Sequence, residues 1–167
     1  DESRQVERAR FQQLRQQGRR CCGRSNMSLS DYIAPTGTPD WLGGFCVTAG
    51  LEMDDKLKAF AADFDDYSSI LFKALADRLA ESCAEWLHHR VRTVEWGYEA
   101  EGDLNNVDLI AEKYQGIRPA PGYPACPEHT QKRALFELLS VQDEIGVELT
   151  ESMAMMPAAS VSGWYFA

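Results

Sequence analysis

The hydrophobic pattern of this chain is dominated by one long stretch with a three- to four-residue period. Ile70, Leu71, Leu75, Leu79, Cys83, Trp86, Leu87, Val91 and Val94 form a continuous apolar stripe, the spacing of one face of an α-helix. No Gly or Pro interrupts it and Gly97 follows it, so a single helix is predicted over residues 65–95. Shorter helices are predicted over 54–62, over 107–113 behind the capping candidates Asp103 and Asn105, and over 130–139, with a turn that ends at Gly146. Residues 4–17 place Val6, Phe11 and Leu14 among Arg and Gln, a weak amphipathic helix pattern. Two-residue alternation predicts strands over 29–33, 41–48, 147–151 and 160–166. Gly43 and Gly44 mark a place in the second of these where another backbone can approach closely. No internal repeat is visible. The predicted class is α+β, with long central helices packed with an antiparallel β-sheet.

Composition bounds this picture without changing it. The 167 residues are 44% apolar, 10% aromatic and 26% charged, a globular balance for about one domain that excludes collagen-like and low-complexity chains. The net charge of -9 is unevenly placed. Residues 1–24 carry seven arginines against Asp1, Glu2 and Glu7, while the remainder carries ten basic against 23 acidic residues. Phosphate would be repelled over most of such a surface, which disfavours nucleic acid as a partner. No apolar run approaches the ~18 residues that span a bilayer. The start at Asp1-Glu2-Ser3-Arg4 has neither an initiator Met nor the shape of a signal peptide, and a fragment of a longer protein is expected. Five cysteines (21, 22, 46, 83 and 126) with no C-x-x-C pair fit reduced, cytoplasmic usage.

Three constellations could carry chemistry. Asp77, Glu81 and Glu85 follow at i, i+4 and i+8 on the long helix, either as a solvated face or as a wall meeting a cation. Glu85-x-x-His88 matches half of a di-iron motif, but no second Glu-x-x-His exists for a facing helix. Cys126-x-x-His129 lacks the further ligands of a structural zinc site and a visible orienting group for a nucleophile.

Residues 116–127 are the most informative. Four of the seven prolines fall there, and each fixes φ and extends the residue before it. A stiff ribbon, mostly free of hydrogen bonds, is predicted. Ala120 and Gly122 would offer open backbone groups, Gly122 a surface for a flat group, and Tyr123 a ring and a hydroxyl. Arg118 offers a fork for a carboxylate, a contact of about 1.5–3 kcal/mol when charge-assisted and sheltered. Such a set suits a small ligand with a carboxylate and a heterocycle; a polyproline crossing with a structural Arg is the alternative.

The ribbon and its flanks also carry a resemblance. Arg118-x-x-x-Gly122-Tyr123 within 114–124, Leu149-Thr150-Glu151-Ser152, Ala154-Met155-Met156-Pro157 and Ser160-Val161-Ser162-Gly163-Trp164-Tyr165-Phe166 are similar, in order, to the activation domain of cobalamin-dependent methionine synthase. So are Gly43-Gly44-Phe45-Cys46, Asp65-Asp66-Tyr67 and residues 73–81 upstream. The resemblance covers roughly 28–167 as a partial activation domain and leaves 1–27 as a linker or N-terminal helix. It implies a module that presents S-adenosylmethionine for reductive remethylation of oxidised cobalamin. In it Arg118 would grip the ligand carboxylate, and the backbone at Ala120 and Gly122 with Tyr123 would hold the adenosyl part. Glu81 would lie near the amino group, and Asp77 would face the cobalamin-binding domain of the same enzyme. Cobalamin would be bound mainly by that neighbouring domain, zinc would belong to the full enzyme only, and flavodoxin or a methionine synthase reductase would supply the electron. A stand-alone S-adenosylmethionine-binding or partner-docking module without catalysis, and a helical domain with no ligand, are the competing readings.

Overall fold

In a computed structural model, the chain is described for residues 5–167 apart from 22, 101 and 103. Asp1 to Arg4, Cys22 and the capping candidate Asp103 lie outside the described residues. The elements run in order as a 3₁₀ turn Leu29–Tyr32, β1 Gly43–Thr48, α1 Asp54–Ala62, α2 Asp66–Arg90, a π-helical segment Val91–Glu95 that continues it, and α3 Asn106–Ile110. Then come α4 Gln131–Leu139, α5 Val141–Ile145, β2 Glu148–Leu149, β3 Met155–Met156 and β4 Ser160–Tyr165. Helices with a small antiparallel sheet bear out the α+β class.

Strands β1 and β4 pair antiparallel from Gly43 opposite Tyr165 to Thr48 opposite Ser160. Alternation gives this ribbon two faces. On one, Phe45 and Tyr165 stack with centroids 4.7 Å apart and meet Ala84 and Val91 of the long helix. On the other, Trp164 and Phe166 join Leu135, Leu29 and Cys126. A third cluster, Phe136, Val141 and Val147, closes the α4–α5 corner.

The long helix forms where its pattern predicts, started by the Asp65 carboxylate accepting from the Ser68 N–H at 2.9 Å. Its buried face, however, is Ala76, Ala80, Ala84 and His88, four apart, not the leucine stripe. Leu71, Leu75 and Leu79 are 56%, 55% and 55% exposed. Small side chains let the helix axis sit close to the sheet, where Phe45 and Tyr165 already fill the space.

Other boundaries shift for local reasons. Residues 29–33 are not a strand: the Ser28 hydroxyl accepts from the Ser30 N–H while the Ser28 N–H donates to Asp31, a reciprocal cap that winds the turn. No helix forms over the described part of 4–17; only Phe11 finds the core, edge-on to Trp164 at 5.4 Å, while Val6 and Leu14 stay exposed. Instead, the Gln12 N–H donates to the Gln131 side chain at 2.7 Å and the Arg15 fork holds Asp31. The 107–113 helix shortens to α3, capped by Asn105. The 147–151 strand shortens to β2, whose partner β3 the alternation did not announce. At β1 the close approach to Gly44 is made by the Leu135 side chain rather than by a backbone.

Candidate functional site

The proline ribbon is stitched to β4 rather than free of hydrogen bonds. Ile117 and Phe166 exchange both backbone bonds, at 2.9 and 3.1 Å, and the Trp164 N–H donates to the Pro119 carbonyl at 3.0 Å. Gly163 permits this approach, because a Cβ there would stand 2.4 Å from the Pro119 oxygen and 3.1 Å from the Phe45 ring. Ile117 packs into the Trp164 cluster. Its neighbour Arg118 reaches the other way, to α2.

There Arg118 enters a chain of charges. Its Nη2 donates to Glu85 Oε2 at 3.0 Å. Glu85 Oε1 stands 4.0 Å from Nη1 of Arg92, which is fully buried. Arg92 Nε donates to Glu99 Oε2 at 2.6 Å, and its guanidinium lies over the Tyr114 ring at 4.1 Å. The other Glu99 oxygen accepts from the Gln115 N–H at 3.2 Å, which returns the chain to the ribbon. Two cations and two anions balance in this half-sheltered space, as buried charge requires. Arg118 Nη1 is buried and has no hydrogen-bond partner.

The aromatic wall beside the charges is equally enclosed. His88 lies against Tyr165 and meets Tyr114 edge-on. Burial first, then the nearby Arg92 and Arg118 charges, push its pKa down to about 3. The same burial raises Tyr114 and Tyr165. A cavity of about 610 Å³ opens along the ribbon, with Leu29, Tyr32, Tyr114, Gly116, Arg118 and Pro119 in its lining. That volume suits a small-molecule ligand.

The residues singled out from sequence fall into three groups. Arg118 lines the cavity. Ala120, Gly122 and Tyr123 lie further along the ribbon and do not line it. Of these, Ala120 alone keeps both backbone groups without a partner. Gly122 departs from the expectation: its N–H donates to the Cys126 carbonyl at 2.8 Å, and the flat group against it is the His129 ring, 2.3 Å from where a Cβ would be. The tight turn closed by Tyr123 and Cys126 consumes the backbone groups that proline spacing alone leaves open. Tyr123 is largely exposed. Asp77 and Glu81 are exposed on α2, and the acid that meets Arg118 is Glu85, one turn beyond Glu81.

Arg92 and Glu99 had no sequence signal beyond the seven-residue step from Glu85 to Arg92, and Tyr114 had only its place at the head of the 114–124 motif. Cys126 is buried and its thiol is pushed up by burial, the reverse of an activated nucleophile. Among the described residues no group of three or more His, Cys, Asp or Glu is placed to hold a metal ion, and no helix is long and apolar enough to cross a membrane.

Two comparisons bear on this geometry. A family model described as vitamin B12 dependent methionine synthase, activation domain, matches residues 1–167. A crystal structure of the MetH reactivation domain bound to AdoHcy superposes with a TM-score of 0.94 at 55% sequence identity, over 99% of this chain and 51% of that one. The chain thus spans about half the length of that solved chain.

Proposed function

The chain belongs to the activation-domain family of vitamin B12-dependent methionine synthases, and we propose that it binds S-adenosylmethionine beside Arg118 and presents it for reductive remethylation of oxidised cobalamin. The observation that carries this reading is Arg118 itself. Its neighbours Ile117 and Pro119 are bonded to Phe166 and Trp164, one of its terminal nitrogens is held by Glu85, the other is buried and unpartnered, and the residue lines a ligand-sized cavity. A carboxylate satisfies that nitrogen with a charge-assisted bond.

The other roles follow the ribbon. The open backbone of Ala120, the Gly122 carbonyl and the exposed Tyr123 ring would hold the adenosyl part. Glu81, exposed on α2, would attract the ligand's cationic amino group, and Asp77 would face the cobalamin-binding domain. Bound by that neighbouring domain, cobalamin would supply the cobalt that takes the methyl group. An electron from flavodoxin or a methionine synthase reductase completes the stoichiometry. Zinc and the homocysteine chemistry belong, in this reading, to other parts of a cytoplasmic methyltransferase.

Support for the ligand also comes from the solved relative, whose crystal holds AdoHcy, the demethylated counterpart of the proposed ligand. Calorimetric titration with S-adenosylmethionine tests the reading. Binding that weakens sharply in Arg118→Ala is expected. Absence of binding, or equal binding by wild type and variant, would overturn it.

A further inference from the structure

We infer that Glu85 is the positioning residue for the ligand-binding arginine, and that the fixed charge of Arg92, itself bonded to Glu99, steadies Glu85 from its other side. The inference rests on the reading of Arg118 as a carboxylate clamp and names what makes that clamp rigid.

A long Arg side chain loses rotamer freedom when it is fixed, so a binding Arg is effective when the protein fixes it beforehand. The ribbon fixes only the backbone on either side of Arg118, at Ile117 and Pro119. Its guanidinium has one protein hydrogen bond, from Nη2 to Glu85 Oε2 at 3.0 Å. That bond occupies one terminal nitrogen and leaves the other, Nη1, buried without a protein partner, the one the ligand carboxylate would satisfy.

Glu85 alone would be a poor anchor, being about a third exposed. Seven residues on, two helical turns along the same face, Arg92 faces its second oxygen across 4.0 Å, a charge attraction without a hydrogen bond. Arg92 cannot swing away: it is wholly buried, bonded to Glu99 at 2.6 Å and stacked over Tyr114. Glu99 in turn accepts the N–H of Gln115, three residues before Arg118. The two ends of the 115–118 segment are thereby tied to the same helix face, and the clamp is oriented before ligand arrives. The charges sum to zero without ligand, so Glu85 holds Arg118 without leaving the site anionic towards an incoming carboxylate.

A double-mutant cycle on S-adenosylhomocysteine affinity in the intact protein tests this, using Glu85→Gln, Arg118→Ala and the pair. Glu85→Asp, which keeps the charge but shortens the reach, is a second variant should the first fold poorly. Either Glu85 change is expected to weaken binding about tenfold, the scale of one charge-assisted hydrogen bond. In the Arg118→Ala background the same change is expected to have no further effect. If Glu85→Gln weakens binding equally in both backgrounds, its role is structural and the inference is overturned. Full affinity in both Glu85 variants, with Arg118→Ala impaired, overturns the positioning role and leaves the clamp standing. A wild type that does not bind, or an Arg118→Ala that binds fully, overturns the clamp itself.

Discussion

The His88 ring lies nearly parallel to that of Tyr165, 13° apart in plane and 5.3 Å between centroids, and neither of its nitrogens has a hydrogen-bond partner. Burial and the positive charges of Arg92 and Arg118 keep the imidazole neutral, with a pKa near 3. In the unfolded chain the same group takes up a proton near pH 6.5. Between those values the unfolded state binds more protons, so stability rises with pH there. The contribution is complete above pH 6.5 and is lost as pH falls, at up to about 1.4 kcal/mol per unit. Urea denaturation at pH 7 and pH 5 is therefore expected to show wild type losing about 2 kcal/mol more than His88→Phe. Equal losses in the two proteins would show that His88 is not the source of the pH dependence.

Arg92 is the one wholly buried arginine among the described residues, and two carboxylates depend on it. Arg92→Met fills the space but leaves Glu99 without its counter-charge. Breaking a buried pair on one side destabilises by about 3–5 kcal/mol, moderated here because Glu85 and Glu99 keep some solvent. A loss of about 3 kcal/mol in the denaturation midpoint analysis is expected. The double change Arg92→Met with Glu99→Gln should recover part of it, since it removes both members of the pair; a double variant weaker than the single would contradict the pairing.

Gly163 decides whether the ribbon can lie on β4. Gly163→Ala places a methyl group against the Pro119 oxygen and the Phe45 ring, neither of which can yield without opening the core. About 1–3 kcal/mol of destabilisation is expected, the usual range for overpacking. Displacement of Pro119 also breaks the Trp164 bond beside Arg118, so S-adenosylmethionine affinity should fall as well. A variant with wild-type stability and affinity would mean that the ribbon position is not set here.

The sequence announced some of this and hid the rest for identifiable reasons. The long helix is legible because its period persists for seven turns without Gly or Pro, yet the face it buries is not the one that the apolar period marks. Alanines carry a weak hydrophobic signal but permit the closest packing, and the louder leucines lie outside. Arg118 and the ribbon were legible from proline spacing and motif. Their hydrogen bonds were not, because the partners lie about fifty residues away on β4 and in a turn closed by Cys126. Glu85 stood in the acidic stripe as one of three equivalent acids. Only the folded positions of Arg118 and Arg92, on either side of its carboxylate, distinguish it from Glu81.

Arg118 and Tyr123 should separate the two activities expected of a complete enzyme. Both lie on the ribbon, but Arg118 is sheltered and tied to α2, while Tyr123 is 64% exposed. Loss of the Arg118 guanidinium removes a charge-assisted contact of about 1.5–3 kcal/mol, which predicts reductive reactivation impaired by about tenfold or more. Tyr123→Ala removes only ring contact while the backbone at Ala120 remains, so a smaller loss is expected. Neither change touches homocysteine chemistry in this reading, so turnover of enzyme already in its active state should be unchanged in both. Measuring reactivation from the oxidised state and turnover of the active state on the same preparations provides the check. If turnover fell as steeply as reactivation in Arg118→Ala, the assignment of this site to reactivation would fail.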